Sequence, residues 1–355
     1  MTLIKIGNKP MRYAWGAQDL LPDFLGVEQD GEPWAEIWFG THKTAPAQTE
    51  NGSLADLTEL GFMVKFLAAA APLSIQAHPS KERAARLFTQ GHQGYQDGNH
   101  KPEMLIAVTE FRALCGFRSE PELAQDLELL AKENTTLTPW LDALRSQGIQ
   151  GAVDWVYDSG PSEVAALVAS ATVLGRKRAR LIEQLFDLYP GDLGILTSLM
   201  MNLVQLEPGE AIFVPAGMIH AYLFGLGVEV MASSDNVMRG GLTPKHVDVK
   251  ELKRVLDYRP TAEPRVLPKR LMQGLTQFPA EVDDFSVYRL EPSAAAMLID
   301  LELRGQGVIV CVAGDLEVST STQENVRLSV GEAVYIANSR LFSITGNGTG
   351  YLAMG

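Results

Sequence analysis

Two short segments in the first third of the chain carry side chains that commonly bind metal ions. Gln76 and His78 lie two positions apart in an apolar run typical of a β-strand, so their side chains share one face. Glu103 follows downstream, and His220 comes much later, directly after a Pro-Ala-Gly turn. We therefore predict a metal site built from Gln76, His78, Glu103 and His220.

These donors suit zinc, which accepts imidazole nitrogen and carboxylate oxygen and, in catalytic sites, keeps a position for water or substrate. Glutamine is a rarer and neutral donor, so the four ligands together carry about one negative charge. The centre would stay positive and could polarise a substrate oxygen. His100 is the main rival for a place among the ligands.

Four charged residues are further candidates for the functional site. Lys65 lies inside an apolar strand, where it must either turn outward or find a partner, and the sequence leaves both readings open. Lys101 is two positions before Glu103, and Arg239 lies in a polar, glycine-rich run. Glu229 lies in an apolar strand, where a carboxylate needs a partner or a task.

Composition narrows the classes of function. The chain has 355 residues, which predicts two or three domains, and its net charge of −13 argues against nucleic acid as a partner. Cys115 and Cys311 are far apart and predict two reduced, buried thiols. The N-terminus lacks a signal-peptide pattern, and no apolar run is long enough for a membrane span, so we predict a cytoplasmic protein without a membrane partner.

The order of elements predicts a β protein interrupted by helices. Strand-like runs precede residue 118 and resume at Met200–Leu206, whereas the stretch from a Ser119 capping box to Tyr189 has helical spacing. Arg176–Arg180 holds four basic residues, read as a solvated helix face, with substrate contact as the alternative. A further helix is expected over His246–Leu256.

An internal repeat links the middle of the chain to its end. When Leu206 is aligned with Leu328, a Gly-Glu-Ala-apolar-aromatic-apolar pattern coincides in both segments, and His220 falls on Phe342. The chain is therefore expected to contain two related β-barrel units, one with a metal-binding histidine and one without.

The segments 13–16, 73–79, 100–103, 215–222 and 235–245 closely resemble those of type I mannose-6-phosphate isomerases (phosphomannose isomerases), zinc enzymes of the cupin class. The resemblance extends from the N-terminus to about residue 256 and implies interconversion of mannose 6-phosphate and fructose 6-phosphate. It implies one zinc ion per chain, held by Gln76, His78, Glu103 and His220. A small sugar phosphate would be the partner, and a monomer is expected.

The expected fold is mainly β with an α-helical insertion: two cupin-like jelly-roll (double-stranded β-helix) units plus a helical domain. We expect a discontinuous catalytic cupin domain over 1–112 and 200–260. The helical domain would span 113–199, and a metal-free cupin-like β domain would span 261–355.

The resemblance also implies roles for pocket residues. Those expected to bind substrate are Trp15, Ser74, Tyr222 and Asp235, and those expected to act in catalysis are Arg239, Lys101, Glu229 and Lys65. An isomerase must move a proton between adjacent carbons through an enediol and stabilise the oxyanion. The base could be Glu229 or a lysine of lowered pKa, and the phosphate ligand is left open.

Two alternatives remain at this point. His78, Glu103 and His220 also form a set of two histidines and one carboxylate that suits ferrous iron, as in a cupin oxygenase. A sugar-sensing module could also keep the pocket without turnover. The tryptophans of the first 50 residues are similarly ambiguous between sheet core and the wall of a sugar site.

Overall fold

The architecture comes from a computed structural model that describes residues 2–292, 297–299, 305–320, 324–337 and 342–355. The strands of the first part are β1 (Thr2–Ile6), β2 (Glu36–Phe39), β3 (Gln48–Thr49), β4 (Gly52–Ser53), β5 (Phe62–Ala69), β6 (Ile75–Ala77), β7 (Glu103–Ala107), β8 (Phe111–Phe117), β9 (Met201–Leu206), β10 (Ala211–Val214), β11 (His220–Ala232) and β12 (Met238–Gly241). Those of the second part are β13 (Lys269–Met272), β14 (Leu275–Phe278), β15 (Ser286–Leu290), β16 (Met297–Ile299), β17 (Gln306–Ala313), β18 (Asp315–Thr320), β19 (Asn325–Ser329), β20 (Ala333–Ala337), β21 (Phe342–Gly346) and β22 (Thr349–Met354).

The helices are α1 (Leu20–Leu25), α2 (Lys81–Thr89), α3 (Glu120–Glu133), α4 (Thr138–Asp158), α5 (Pro161–Ser170), α6 (Arg176–Leu188), α7 (Gly194–Met200) and α8 (Val249–Val255). Short 3₁₀ turns occupy Leu54–Asp56, Thr135–Leu137 and Ala171–Leu174. Among the described residues, none of the helices combines the length and the apolar character that a membrane span requires.

The first β unit is a jelly roll wrapped around one long strand, β11. The second half of β11 lies in a sheet of order β10-β7-β11-β5-β2, and its first half pairs with β6 and β8, which extend to β12 and β9. Gly225, with a φ of 122°, lies where β11 passes from one set of partners to the other. A cluster of apolar side chains that includes Leu67, Phe111 and Tyr222 fills the interior.

The second β unit repeats this pairing strand by strand. Strand β17 pairs with β20 and β22 as β7 pairs with β10 and β11, and β18 pairs with β19 and β21 as β8 pairs with β9 and β11. The glycines that open the repeated turns, Gly209 and Gly331, both have a left-handed backbone, with φ of 88° and 83°. The predicted pair of related barrel units is confirmed.

The strand register shows what replaces the metal donors in the second unit. Phe342 begins β21 as His220 begins β11, and it is buried. Glu103 pairs with Val214, and at the matching place Gly307 pairs with Ile336. Phenylalanine and glycine offer no side-chain ligand, so these two positions of the C-terminal unit cannot bind a metal through their side chains.

The helical insertion occupies the turn of one hairpin. In the second unit, β19 begins at Asn325, soon after β18 ends at Thr320, whereas in the first unit the equivalent strands β8 and β9 are separated by helices α3 to α7. Trp140, Leu144 and Val156 of the insertion pack in one core with Ile75 and Leu252 from the barrel side. An insertion at a hairpin tip leaves the ladder beneath it intact, since β8 still pairs with β9.

Two strand pairings bear on the predicted domain boundaries, which stay a prediction. Strand β8 continues to Phe117, so the residues after 112 begin as part of the catalytic sheet rather than the helical domain. Strand β1 pairs with β20, which places the first residues in the sheet of the C-terminal unit instead of the catalytic domain. The remaining domain division stays a prediction.

Two local predictions about the insertion are corrected. The Ser119 hydroxyl donates to the Glu122 carboxylate, at 2.7 Å, and does not cap the helix backbone. Within the basic run 176–180, Arg178 is largely buried and donates to the carbonyls of Ser198 and Met201, at 3.2 and 2.8 Å. Arg178 thus links the end of helix α7 to the start of strand β9. The basic residues 176–180 therefore do not all lie on a solvent-exposed face of α6.

Candidate active site

Three of the predicted metal ligands meet in the interior of the first β unit. His78, Glu103 and His220 are buried, and their candidate ligand atoms all lie within 4.8 Å of one another. His78 Nε2 is 3.4 Å from one Glu103 oxygen, and His220 Nε2 is 3.2 Å from the other. Two ligands bound to zinc at the usual 2.0–2.1 Å in a tetrahedron lie about 3.3 Å apart.

Each histidine is held by its other nitrogen. His78 Nδ1 donates to the carbonyl of Asn236 at 2.7 Å, and His220 Nδ1 lies 3.1 Å from the carbonyl of Met218. Because a carbonyl can only accept, Nδ1 must carry the proton, which leaves Nε2 as a lone pair facing a carboxylate oxygen. Acceptors at this separation repel one another unless a cation lies between them. The residues therefore fit a metal ion.

The backbone explains why distant segments converge. Gly217, with a φ of 84°, turns the chain before β11, and its N–H donates to the carbonyl of His78 at 2.8 Å. A side chain at this position would be strained by the left-handed backbone and would lie 3.1 Å from the Val255 carbonyl. His220 then pairs with Gln76, which pairs in turn with Arg239 on β12.

Directly opposite residues on paired strands share a face, so Gln76 lies on the side of its strand that carries the His220 row. Gln76 is half-buried, as is Ser74 just before β6. The structure thus gives Gln76 a suitable place, and its role as a fourth ligand stays a prediction.

A buried charge cluster lies on the neighbouring sheet. Lys65 and Glu229 are paired residues of β5 and β11, with Nζ 3.3 Å from the carboxylate, and Glu36 approaches the same ammonium at 3.5 Å. Lys65 also lies over the Trp38 ring, 5.1 Å from its centroid. The ambiguity of the sequence is resolved: Lys65 points inward and has partners.

Burial and the neighbouring charges shift the pKa values of Lys65 and Glu229. Burial acts to lower the pKa of Lys65, but the carboxylates of Glu36 and Glu229 outweigh it and raise that pKa above the ordinary value. Burial, helped by the charge of Glu103, raises the pKa of Glu229. The two carboxylates therefore favour the charged form of Lys65, and its catalytic role stays a prediction.

The remaining ionisable residues near the metal cluster respond to the same surroundings. Burial lowers the pKa of His78 to about 4, which keeps the imidazole neutral as a ligand must be. Burial opposes ionisation of Glu103, but the Lys101 ammonium, 2.9 Å away, holds the pKa of that carboxyl well below its usual range. Burial and the Glu229 charge raise the pKa of the Tyr222 hydroxyl.

Of the predicted substrate-binding residues, Trp15 and Tyr222 belong to one apolar cluster, and Asp235 lines a cavity. Trp15 packs against the apolar cluster that contains Tyr222, and it stacks on Tyr13 with ring centroids 5.7 Å apart. Asp235 and Arg239 line one cavity of about 330 Å³, together with His246. Burial lowers the pKa of Arg239 from its ordinary value.

Comparison with known proteins places this arrangement in a family. Residues 55–120 match the family described as phosphomannose isomerase type I, catalytic domain. The mannose-6-phosphate isomerase of Escherichia coli is 31% identical over 97% of both chains, and that of Homo sapiens is 32% identical over 94% of this chain and 93% of its own. The chain belongs to the type I mannose-6-phosphate isomerase family.

Solved structures of type I mannose-6-phosphate isomerases agree over the whole chain. A single-residue mutant of the Salmonella typhimurium phosphomannose isomerase superposes with a TM-score of 0.92 at 28% identity, and both chains are covered completely. A mannose 6-phosphate isomerase bound with zinc and yttrium superposes with a TM-score of 0.90 at 27% identity, again over both chains. Neither the iron oxygenase nor the non-catalytic module finds support in these relatives.

His100, the predicted rival ligand, lies elsewhere. Its Nε2 is 2.7 Å from the Asp284 carboxylate in the C-terminal unit, and it is not among the three clustered donors of the described residues. His100 therefore forms a contact between the two β units and is not a ligand in the cluster.

Several residues near the site escaped the sequence reading. Glu36 accepts from the Trp38 indole at 2.7 Å as well as facing Lys65, and His42 Nε2 lies 3.1 Å from both Asp235 oxygens. Burial raises the pKa of the Tyr13 hydroxyl, and the negative charges of Glu36 and Asp235 act in the same direction. Glu36 could have been identified from the sequence, because a carboxylate inside the apolar segment 34–39 needs a partner.

Proposed function

We propose that the chain interconverts D-mannose 6-phosphate and D-fructose 6-phosphate at a zinc site formed by Gln76, His78, Glu103 and His220. The observation that carries this proposal is the set of buried imidazole and carboxylate atoms that face one another at 3.2 and 3.4 Å, as the ligands of one metal ion would. Membership of the isomerase family and the zinc-bound relative support the choice of metal and substrate.

Bound zinc would supply a Lewis acid that polarises the sugar oxygens at C1 and C2. Glu229 takes the proton from one carbon and returns it to its neighbour, since its raised pKa favours reversible transfer. Lys65 holds Glu229 in place and offsets its charge. Lys101, which faces the Glu103 carboxylate, and Arg239 complete the positive surface that stabilises the developing oxyanion.

The substrate-side roles are proposed from the resemblance and from the residue types. Trp15 and Tyr222 would present flat surfaces to the sugar, and Ser74 and Asp235 would supply hydrogen bonds. The residue that binds the phosphate is not assigned. The expected monomeric state and cytoplasmic location stay predictions.

The test begins with protein purified without added metal. Elemental analysis should find zinc, and a coupled assay should show fructose 6-phosphate formed from mannose 6-phosphate. Iron in the protein together with oxygen uptake would contradict the proposal in favour of an oxygenase. Tight binding of mannose 6-phosphate without any product would contradict it in favour of a binding module.

A further inference from the structure

A partly buried hydrogen-bond network joins the loop 96–99 to the loop 233–236 and centres on the Asp97 carboxylate. Its Oδ1 accepts from the Ser234 hydroxyl at 2.9 Å, from the Asn236 amide at 3.0 Å and from the Asn99 backbone N–H at 2.9 Å. Its Oδ2 accepts from the Asp235 backbone N–H at 2.7 Å. Four donors therefore converge on one carboxylate.

The Oδ1 side leads to the metal centre. Asn236 is fully buried, and besides its bond to Asp97 Oδ1 its amide donates to the backbone carbonyls of Asp97 and Asn99, while its own oxygen accepts from the Gln96 N–H at 2.8 Å. The Asn236 carbonyl is the group that accepts from His78 Nδ1 at 2.7 Å. The orientation of the His78 ring therefore depends on where this network holds Asn236.

The Oδ2 side leads to the cavity that Arg239 lines. The backbone that it holds belongs to Asp235, whose side chain contacts His42 and lines the cavity that also holds Arg239. One carboxylate thus sets the position of a metal-ligand partner through one oxygen and of a pocket residue through the other.

We propose that Asp97 is a positioning residue for both halves of the site: Oδ1 orients His78 through Asn236, and Oδ2 places Asp235 toward the substrate. This inference rests on the proposed zinc-dependent function. Partners that orient a metal ligand typically change metal affinity or activity by about 10- to 100-fold when they are removed.

An aspartate suits this place because an ionised carboxylate only accepts hydrogen bonds. An amide would have to turn one N–H₂ toward a donor. In Asp97→Asn the amide oxygen should take the Oδ1 side, where three donors meet, so that the N–H₂ group would face the Asp235 N–H. The two substitutions Asp97→Ala and Asp97→Asn should therefore have different effects.

The experiment measures the rate at which a chelator removes zinc from the loaded protein, beside KM and kcat. We expect Asp97→Ala to release zinc about 10- to 100-fold faster and to raise KM. We expect Asp97→Asn to raise KM while its zinc release stays within about threefold of wild type, because the Oδ1 contacts persist.

Asp192→Asn is the matched control. Its carboxylate also ties two segments together, accepting from the backbone N–H groups of Gly194 and Leu242 at 2.7 and 2.9 Å, but it does not contact a partner of a metal ligand. It should alter thermal stability and leave zinc release unchanged.

Zinc release from Asp97→Ala within twofold of wild type would overturn the metal half of the inference. Equal acceleration in Asp97→Asn and Asp97→Ala would overturn the division between the two oxygens. A wild-type protein that holds no zinc would instead contradict the proposed function, so the two failures are distinguishable.

Discussion

Glu36, Lys65 and Glu229 form a buried group in which one cation lies between two carboxylates. Buried charges persist when they are paired, and the pairing here leaves one negative charge in excess. The nearby Lys101 charge partly offsets that excess, since it acts to lower the pKa of Glu229. The group therefore places Glu229, the proposed base, beside a buried cation.

The charge of Glu36 is expected to set the pH at which Glu229 ionises. It is among the groups that raise the pKa of Glu229, so Glu36→Gln should lower that pKa. With Glu229 as the proposed base, activity requires its ionised form and is lost as pH falls through its pKa. The acid limb of kcat/KM should therefore move to lower pH in the variant.

A pH profile of both proteins checks this, with Glu183→Gln as control, since Glu183 is exposed on α6. An unchanged acid limb in Glu36→Gln, or one moved to higher pH, would remove Glu229 from the role of base.

His220→Asn should lower zinc affinity by at least about 100-fold, since it removes a direct ligand rather than the partner of one. The fold should remain, because the second β unit builds the same strand junction with Phe342 in that place. Zinc content per chain and far-UV circular dichroism measure the two effects. His92→Asn, in the exposed turn after α2, is the control, and full zinc occupancy in His220→Asn would refute the assigned site.

The donors could be predicted from sequence because strand alternation puts Gln76 and His78 on one face, and the turn before His220 is marked by proline and glycine. The partners of Lys65 could not be predicted from the sequence. Glu36 and Glu229 reach it through pairing of β2 and β11 with β5, and that pairing joins segments far apart in the chain. Asp97 was missed for the same reason, since its role depends on a loop more than 100 residues away.

Among the secondary-structure elements, the helical insertion contacts a strand that carries a predicted site residue. The Tyr157 hydroxyl on α4 donates to the carbonyl of Gly240, at 2.7 Å, in the strand that carries Arg239. The insertion therefore contacts β12 directly, next to a residue of the substrate pocket.

Tyr157→Phe should cost about 0.5–1.5 kcal/mol of stability for the lost hydrogen bond. Because β12 carries Arg239, KM should rise as well, while zinc release should not change. Tyr258→Phe is the control, since that hydroxyl donates at 2.8 Å to the carbonyl of Lys253, at the end of α8. Identical KM values for the two variants would show that the insertion does not position the pocket.

Elements with a clear local pattern agreed with expectation. Strands β5 and β6 flank the predicted break at Pro72, and helix α2 begins after Ser80, whose hydroxyl accepts from the Arg83 N–H. The partner of β1 could not be predicted, because its short apolar alternation fits either barrel. Only tertiary pairing with β20 assigns it to the second unit.

At the scale of the molecule, the two β units share a core. Phe62 and Phe66 of β5 pack in one apolar cluster with Val308 and Val310 of β17, and Thr58 donates to the Gln306 side chain at 2.8 Å. This shared core makes independent unfolding of either unit costly. One cooperative transition is expected.

Two optical probes can test that cooperativity. All five tryptophans, Trp15, Trp34, Trp38, Trp140 and Trp155, precede the second unit, so their fluorescence reports the first unit and the insertion, whereas far-UV circular dichroism reports the whole chain. Phe66→Ala should lower stability by about 3–5 kcal/mol in both signals together. A dichroism transition that persists after the fluorescence transition would show that the units unfold separately.

The most direct test of the central claim is a zinc titration of the chelator-stripped protein with activity as readout. We predict that the stripped protein is inactive and that isomerisation of mannose 6-phosphate returns in proportion to added zinc. The rate should level off at one zinc ion per chain in the wild type and fail to return at that ratio in His220→Asn. Full activity in protein shown to contain no metal would contradict the account.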